Sequence, residues 1–289
     1  MSIRPRRSVL YMPGSNQRAL EKSRTLPADV LILDLEDAVA PEQKVQARAA
    51  VVAAVNSGAY GRRELVIRIN ALSTQWGEAD LAAVAGSQAA AVCVPKVESA
   101  EQVQAVARLL ERHGAPESMT IWAMMETPLG ILNAPAIAAA HARMAVLVLG
   151  TSDLAKELRV PHTPDRLGFL ASLSACVLAA RASGLDVLDG VHLDINDEVG
   201  LRAVCEQGRA LGFDGKTLIH PGQIETANTV FGPDAASVDR ARRILEVWAQ
   251  AERDGQGVAL LDGKLIENLH AAEAQRLLAI ADTISALAG

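Results

Sequence analysis

The sequence lacks the features of several large classes of protein. Its 289 residues contain no apolar run long enough to cross a bilayer. The short apolar stretch near the basic N-terminus is cut off by Pro13-Gly14 before a secretory signal could form. A net charge of -6 argues against nucleic acid or an anionic membrane as the main partner. We therefore expect a cytoplasmic protein that meets any anionic ligand with local basic residues.

Cysteine and histidine are scarce, and neither follows a metal-ligand spacing. The three cysteines are an odd number without a nucleophile signature, so we interpret them as buried, inert thiols. The six histidines form no H-x-x-x-H pair, and His192 and His270 fit hydrogen-bonded structural roles. With 50% hydrophobic and 21% charged residues, the chain has the composition of a globular protein.

Eight short apolar runs recur along the chain, separated by segments with helical start and stop signals. Each run is apolar on both faces, which is typical of buried parallel strands. The predicted strands are 8–12, 30–35, 65–69, 90–94, 121–125, 145–149, 187–191 and 217–219. The clearest predicted helices between them are 41–55, 99–113, 164–183 and 198–211.

This alternation of strand and helix predicts an α/β protein built from parallel β/α units, and eight units predict a closed (β/α)8 TIM barrel. An open doubly wound sheet is the alternative, but no G-x-G-x-x-G follows the first strand. After the eighth unit, two further helices are predicted at 235–253 and 271–287, with a Gly-rich turn between them. We therefore predict a barrel domain over 1–232 and a C-terminal helical extension over 233–289. The extension is too short to fold alone and must pack on the barrel or on a neighbouring subunit.

Polar residues follow the predicted strands at their carboxyl ends, where barrel enzymes place their active sites. Glu126 and Asp153 follow the fifth and sixth strands, and an all-oxygen acidic pair favours Mg²⁺, or Mn²⁺, over zinc. Glu36 and Asp37 follow the second strand and are candidates for orienting metal-bound waters. Glu126 and Asp153 equally suit positions at the starts of the helices that follow them. The pattern alone leaves both interpretations open.

Two basic residues lie at strand ends. Arg68 is inside the apolar third strand, so we expect it to have a buried anionic partner. That partner is either Glu36 or Asp37 in a structural ion pair, or a substrate carboxylate or oxyanion that Arg68 clamps. Lys96 follows the fourth strand and has the chemistry for a Schiff base. Because a metal site makes an imine unnecessary, we interpret Lys96 as a charge partner or a wall residue.

Seven segments of the chain, taken in order, resemble a known family. They are RSVLYMPGSNQRALEKS, DVLILDLEDAV, VIRIN, VPKVES, METPLGILNA, LGTSDLA and GKTLIHPGQI. Together they resemble the citrate lyase beta-subunit-like family of the HpcH/HpaI aldolase superfamily, close to the malyl-CoA and citramalyl-CoA lyases. The resemblance runs from about Arg7 to the C-terminal tail. It implies a Mg²⁺-binding (β/α)8 barrel that assembles as a homotrimer or a dimer of trimers.

The resemblance also implies roles for individual residues. It places the metal at Glu126 and Asp153, and substrate contact at Arg68 and Glu126. The further substrate-binding positions that it implies are Thr127, Gly150, Thr151 and Ser152. The positions that it implies for CoA are Arg18, Lys22, His220 and Pro221.

The tail departs from the family pattern. The family often reads G-K-M-I-D-x-P, and its Asp reaches a neighbouring subunit's site as acid/base. Here GKLIENLH places Glu267 at the Asp position and Leu269 at the Pro position. Glu267 keeps the carboxylate but reaches one methylene further, and Asp262 in LLDGK is the nearby alternative.

The predicted reaction is reversible carbon–carbon cleavage of a 3-hydroxyacyl-CoA thioester of the malyl-, citramalyl- or citryl-CoA type. Arg68 would stabilise the thioester oxygen, and Glu267 of the next subunit would protonate the enolate carbon. We expect Arg68→Ala or Glu126→Ala to abolish turnover with little loss of folding. The alternatives are a citrate lyase beta subunit acting on an acyl-carrier-protein thioester, a CoA-independent class II aldolase of 2-oxo acids, and a non-enzymatic assembly protein. The cost of keeping two acidic residues at the strand ends argues against the last alternative.

Overall fold

Eight parallel strands close into a barrel in the computed structural model, which describes residues 4–288. The strands β1 to β8 are Ser8–Pro13, Val30–Asp34, Glu64–Arg68, Ala91–Val94, Thr120–Met125, Met144–Leu149, Asp186–Asp189 and Gly215–Leu218. Each pairs with the next in parallel, and β8 returns to pair with β1. The predicted (β/α)8 barrel is confirmed, and the open sheet is excluded. Residues 1–3 and 289 of the two predicted domain ranges lie outside the described residues.

Helices and short 3-10 turns connect the strands. The helices α1 to α12 are Gln17–Ser23, Lys44–Asn56, Gly77–Ala85, Ala100–Arg112, Pro128–Leu132, Ala134–Ala138, Thr151–Leu158, Leu170–Ala182, Glu198–Leu211, Ile224–Phe231, Ala235–Arg253 and Asn268–Ala288. The 3-10 turns are Pro41–Gln43, Leu167–Phe169 and Pro221–Gln223. Between residues 4 and 288, no helix has the length and apolarity that a membrane span requires.

Local capping chemistry sets several of the helix ends. Ser99 and Gln102 form a reciprocal capping box at the start of α4, as the serine signal predicted. Gly212 ends α9 at a φ of 102°, a left-handed conformation that glycine adopts without steric cost. The helix predicted over 164–183 begins only at Leu170, because Arg166 has a left-handed backbone and a 3-10 turn follows it.

The barrel interior is filled by alternate residues of the strands. Val66 and Met124 belong to this apolar cluster, and each is no more than 3% exposed. Side chains two positions apart on a strand point to the same face. The interior rows therefore continue from Val66 to Arg68 and from Met124 to Glu126, which brings these charges to the carboxyl end of the barrel.

A second set of buried charges lies at the carboxyl end of β7. Both carboxylate oxygens of Asp189 lie 2.7 Å from Nη1 of Arg166, and one of them also accepts from Nζ of Lys216 at 2.9 Å. Arg166 also donates hydrogen bonds to the side chain of Gln207 and to the carbonyl of Val204, both in α9. These contacts tie the strand to the helix that covers it, and we interpret the set as structural.

The cysteines are buried, as predicted. Burial raises the pKa of the Cys176 thiol to about 12 and that of the Cys205 thiol to about 11. Near neutral pH these groups therefore carry no thiolate, the form that a nucleophile or a metal ligand requires.

The chain divides into two compact units, Arg6–Val230 and a second that contains the residues from Phe231 onward. In the second unit, α11 and α12 pack with a hairpin of β9 (Ala259–Leu261) and β10 (Lys264–Ile266). Asp262 and Gly263 form the hairpin turn at φ values of 51° and 73°, as two-residue turns of the primed types require. The sequence pattern predicted only a Gly-rich turn here, because three-residue strands are too short to show a period. Docking of this extension on the barrel or on a neighbouring subunit stays a prediction.

Candidate active site

Arg68 is fixed at the end of β3 by a partner that the sequence pattern did not single out. Its Nε and Nη2 donate to the two carboxylate oxygens of Asp34 at 2.7 Å each. Asp34 ends β2 and stands opposite Arg68 in the parallel register. Burial disfavours the guanidinium charge, but Asp34, with smaller contributions from Tyr11 and Glu36, outweighs burial and raises the pKa of Arg68. The predicted strands start at Val30 and Leu65, a register that would place Asp34 opposite Ile69, so the pair is visible only in the structure.

The third guanidinium nitrogen of Arg68, Nη1, faces the site and donates to Sδ of Met124 at 3.7 Å. Nη1 lies 3.0 Å from Oε2 of Glu36 and 3.6 Å from Oδ2 of Asp37, the two partners that the sequence predicted. The contact with Glu36 has ion-pair distance without hydrogen-bond geometry. On the other side, the guanidinium lies 4.9 Å from the ring centroid of Tyr11, which the sequence pattern also missed. Asp34 and Tyr11 together hold the plane of the guanidinium.

Glu126 follows β5 directly and is 2% exposed. Its Oε1 accepts a hydrogen bond of 2.8 Å from the backbone N–H of Lys96. Burial, and then the nearby charge of Glu36, raise the pKa of Glu126 to about 7. A buried carboxylate with a raised pKa next to other acids indicates a site that lacks positive charge.

Gly150 makes the room that Glu126 occupies. A Cβ at position 150 would overlap Oε2 of Glu126 and lie 2.5 Å from its Cβ. Gly150→Ala is therefore expected to destabilise the fold by about 1–3 kcal/mol and to lower turnover by about tenfold or more. Urea unfolding and steady-state kinetics measure the two effects. Gly86→Ala is the matched control, since its nearest neighbours would be 3.9 Å away. Equal behaviour of the two variants would contradict the prediction.

Neither acidic residue is the cap of the helix that follows it. Thr127 caps α5, because its Oγ1 accepts from the N–H of Gly130 at 3.1 Å. Asp153 lies within the first turn of α7, whose N-cap position is Gly150. Its carboxylate still benefits from the helix dipole there. Capping by Asp153 is therefore wrong, although both residues lie at helix starts as the sequence suggested, Glu126 directly before the cap of α5 and Asp153 in the first turn of α7. Neither carboxylate serves as a cap, so both remain available to the site.

Lys96 bridges two of the acidic residues. Its Nζ lies 3.2 Å from Oε1 of Glu36 and 3.5 Å from Oδ2 of Asp153. Burial lowers the pKa of Lys96, but Glu36 and the other acids outweigh burial and raise it. A protonated ammonium cannot attack a carbonyl, so the Schiff-base alternative has no support. The contacts agree with the interpretation of Lys96 as a charge partner.

The cluster fits a divalent cation. Its charged members at the barrel mouth are Asp34, Glu36, Asp37, Glu126, Asp153, Arg68 and Lys96, with the Lys44 ammonium beside them on the Glu36 carbonyl. The carboxylates outnumber the cations, and the buried Oε2 of Glu36 makes no hydrogen bond. Within residues 4–288, no three acidic, histidine or cysteine side chains form a complete metal cage. Mg²⁺ needs only one or two carboxylates besides water and substrate oxygens, and Glu126 with Asp153 meets that requirement.

Mg²⁺ is expected to raise the melting temperature more at about pH 8 than at about pH 6. The pKa of Glu126 is raised from 4.5 to about 7. The metal-free protein therefore loses stability as the pH rises from about 4.5 to about 7, and the loss is complete above about pH 7. Mg²⁺ must displace a proton at the lower pH but binds the free carboxylate at the higher pH. Thermal melts with and without Mg²⁺ at both pH values test this. Glu126→Gln should remove the difference, and a pH-independent Mg²⁺ effect in the unchanged protein would contradict it.

The predicted substrate-binding residues after β6 differ in exposure. Thr151 is buried, and its Oγ1 finds no hydrogen-bond partner in the described part of the chain. A Cβ at Gly190 would overlap that hydroxyl, so Gly190 makes room for it. Ser152 is exposed on the same turn of α7. Contact of these residues, and of Thr127, with substrate stays a prediction.

The predicted CoA-binding residues follow two neighbouring strands. Arg18 and Lys22 are exposed on α1, after β1. His220 and Pro221 open the 3-10 turn after β8, and β8 pairs with β1. Nδ1 of His220 accepts from the N–H of Gly222 at 3.1 Å. The fold therefore brings both predicted CoA segments to the same edge of the barrel.

The two candidates for the acid/base lie in the second unit. Asp262 is in the hairpin turn, where its carboxylate accepts from Arg243 at 2.6 Å. Glu267 stands between β10 and α12, and its backbone N–H donates to Nδ1 of His270 at 3.0 Å. Because Asp262 is already ion-paired, Glu267 is the better candidate of the two.

Comparison with known proteins identifies the class to which this barrel belongs. Residues 7–221 match the family model of HpcH/HpaI aldolase/citrate lyase. The chain therefore belongs to the HpcH/HpaI aldolase/citrate lyase family, which confirms the resemblance seen in the sequence.

Several named relatives are enzymes that this chain resembles over nearly its whole length. A (3S)-malyl-CoA thioesterase of Cereibacter sphaeroides (strain ATCC 17025) is 52% identical over 98% of this chain and 96% of the relative. The citrate lyase subunit beta of Escherichia coli K12 is 37% identical over 91% of this chain and 89% of the relative. The crystal structure of CitE from Mycobacterium tuberculosis in complex with magnesium, acetoacetate and coenzyme A superposes with a TM-score of 0.75 at 32% identity, covering 96% of this chain and 98% of that one.

Proposed function

We propose that this chain is a Mg²⁺-dependent enzyme that acts on a 3-hydroxyacyl-CoA thioester of the malyl-CoA type. The observation that carries this proposal is the acidic cluster at the barrel mouth, in which the carboxylates outnumber the cations and which Nη1 of Arg68 faces. Magnesium and coenzyme A in the related CitE structure support the same choice of cofactor and substrate class.

Two net reactions suit this site, and we propose hydrolysis of the thioester as the first. Its support is the 52% identity to a malyl-CoA thioesterase, against 37% to a citrate lyase subunit beta. In hydrolysis, the oxygen of water bonds to the thioester carbon and the carbon–sulfur bond breaks. Malate and the free thiol of CoA are released.

Carbon–carbon cleavage, as predicted from the sequence, is the second candidate, and membership of an aldolase and lyase family favours it. In cleavage, the bond between the hydroxyl-bearing carbon and the methylene carbon breaks. The hydroxyl loses its proton, the methylene carbon gains one, and acetyl-CoA leaves together with glyoxylate or another 2-oxo acid. No free thiol forms.

Glu126 and Asp153 would hold Mg²⁺, with Glu36 and Asp37 orienting its waters. When bound, Mg²⁺ supplies Lewis-acid polarisation of substrate oxygens. Nη1 of Arg68 donates to the thioester oxygen as negative charge develops on it. The same donor serves both reactions, because that oxygen carries the charge of the tetrahedral intermediate in hydrolysis and of the enolate in cleavage.

A proton carrier is the remaining requirement, and we propose Glu267 from a neighbouring subunit. In hydrolysis it removes a proton from the attacking water, and in cleavage it protonates the enolate carbon. This role needs a homotrimer or a dimer of trimers, which stays a prediction, as do use of Mn²⁺ and a cytoplasmic location. Arg18 and Lys22 would bind the CoA phosphates, with His220 and Pro221 lining the same edge.

The test is to incubate the protein and Mg²⁺ with malyl-, citramalyl- and citryl-CoA, with the matching acyl-carrier-protein thioesters and with free 2-oxo-hydroxy acids, and to measure free thiol and 2-oxo acid separately. Thiol without oxo acid supports hydrolysis, and oxo acid with acetyl-CoA but no thiol supports cleavage. Turnover of the acyl-carrier-protein thioester alone would identify a citrate lyase beta subunit. Turnover of free 2-oxo-hydroxy acids alone would identify a CoA-independent aldolase. We expect a chelator to stop the reaction and added Mg²⁺ to restore it. If no substrate is turned over in this Mg²⁺-dependent way, the proposal is overturned.

A further inference from the structure

Three acidic residues of the site converge on Lys96, for which the proposed reaction has no role. The backbone N–H of Lys96 donates to Glu126 at 2.8 Å. Its ammonium faces Glu36 at 3.2 Å and Asp153 at 3.5 Å. One residue therefore contacts both proposed metal ligands, through its backbone to one and its side chain to the other.

The backbone of Lys96 is strained to make these contacts. Its φ of 49° lies in the left-handed region, which is strained for a residue with a side chain. That conformation lets the N–H and the ammonium of a single residue reach the same cluster. A strained backbone at a site is maintained where the surrounding contacts require it.

The two cations of the cluster differ in how firmly they are held. The Arg68 side chain is 9% exposed and is bound by two hydrogen bonds to Asp34. The Lys96 side chain is 43% exposed, and its contact with Asp153 is longer than a hydrogen bond normally is. Because partly exposed ion pairs of this kind contribute little, the ammonium can leave Asp153 at small cost.

We propose that Lys96 is the exchangeable counter-ion of this site. Its ammonium neutralises Glu36 and Asp153 while no metal is bound, and it leaves Asp153 when Mg²⁺ binds there. This inference rests on the proposed Mg²⁺ site at Glu126 and Asp153. Lys96 thus keeps the acidic residues in place for the metal and competes with it, since two cations beside the same carboxylate repel each other.

The sign of a change in Mg²⁺ affinity separates this role from a structural one. Titration calorimetry with Mg²⁺ alone, at about pH 8, should give a Kd about three- to fivefold lower for Lys96→Met than for the unchanged protein. If Lys96 only supported the acidic residues, its loss would disorder them and raise the Kd. Lys96→Arg, which keeps the charge, and Lys156→Met, which removes an exposed charge on α7, should stay within about twofold.

Lys96→Gly separates the charge from the strained backbone. Glycine accepts the positive φ and keeps the N–H to Glu126, so this variant should bind Mg²⁺ as tightly as Lys96→Met does. Without metal, Lys96→Met should melt lower than the unchanged protein, and saturating Mg²⁺ should raise its melting temperature by more. If the unchanged protein binds Mg²⁺ and neither variant binds it more tightly, the inference about Lys96 is wrong and the metal site stands. If the unchanged protein binds no Mg²⁺, the proposed function falls and this inference falls with it.

Discussion

Glu126→Gln is expected to abolish measurable Mg²⁺ binding and to lower turnover by about 10³-fold or more. The amide has the shape of the carboxylate and can still accept the hydrogen bond from the Lys96 N–H, but it carries no charge for a cation. Burial raises the pKa of Glu126 to about 7, so the charge is costly in the metal-free protein. The variant should therefore melt at the same temperature as the unchanged protein or higher, while losing the response to Mg²⁺.

Calorimetry, thermal melts and steady-state kinetics on one preparation test these three effects together. Glu157→Gln is the matched control, because it makes the same change at an exposed position of α7. Turnover within about threefold of the unchanged protein in Glu126→Gln would remove Glu126 from the site. Lost turnover with normal Mg²⁺ binding would instead leave Glu126 in the reaction but not as the metal ligand.

Arg68→Ala is expected to cost both turnover and about 3–5 kcal/mol of folding free energy. From the sequence alone we expected little loss of folding, and the structure corrects that expectation. Asp34 is 1% exposed, and two of the three guanidinium nitrogens bind its carboxylate. Removing the guanidinium leaves a buried carboxylate without its cation, which is one of the few changes that costs this much.

A double variant separates the two effects of Arg68. Asp34→Asn with Arg68→Met removes both charges at once and keeps an amide oxygen for the N–H of Glu36. It should recover half or more of the lost stability, because removing both members of a buried ion pair leaves no unpaired buried charge. Turnover should stay lost, since no donor remains at the Nη1 position. Urea unfolding supplies the free energies, and Arg243→Ala, which breaks a half-exposed pair with Asp262, should unfold like the unchanged protein. A double variant less stable than Arg68→Ala would show that Asp34 and Arg68 stabilise the fold by more than neutralising each other's charge.

The strands and the acidic pair were predictable because they depend on local sequence. Apolar runs bounded by polar residues marked all eight strands, and Glu126 and Asp153 follow the fifth and sixth of them. Capping signals were equally local, as Ser99 and Gly212 show. Where local chemistry gave no signal, the prediction failed. The 3-10 turn after Arg166 shortened one helix, and the three-residue strands beside Asp262 and Gly263 were missed.

The sequence by itself determined the barrel, the family and the identity of most charged residues at the strand ends. Hydrophobic periodicity and sequence motifs depend only on the order of the residues. Only the tertiary structure decided which charges meet. It paired Arg68 with Asp34, put Tyr11 against the guanidinium, and set Lys96 between Glu36 and Asp153. The reason is physical: these partners lie on different strands, and their distances depend on barrel register and on one left-handed residue. The charge deficit that favours Mg²⁺ exists only after those contacts form.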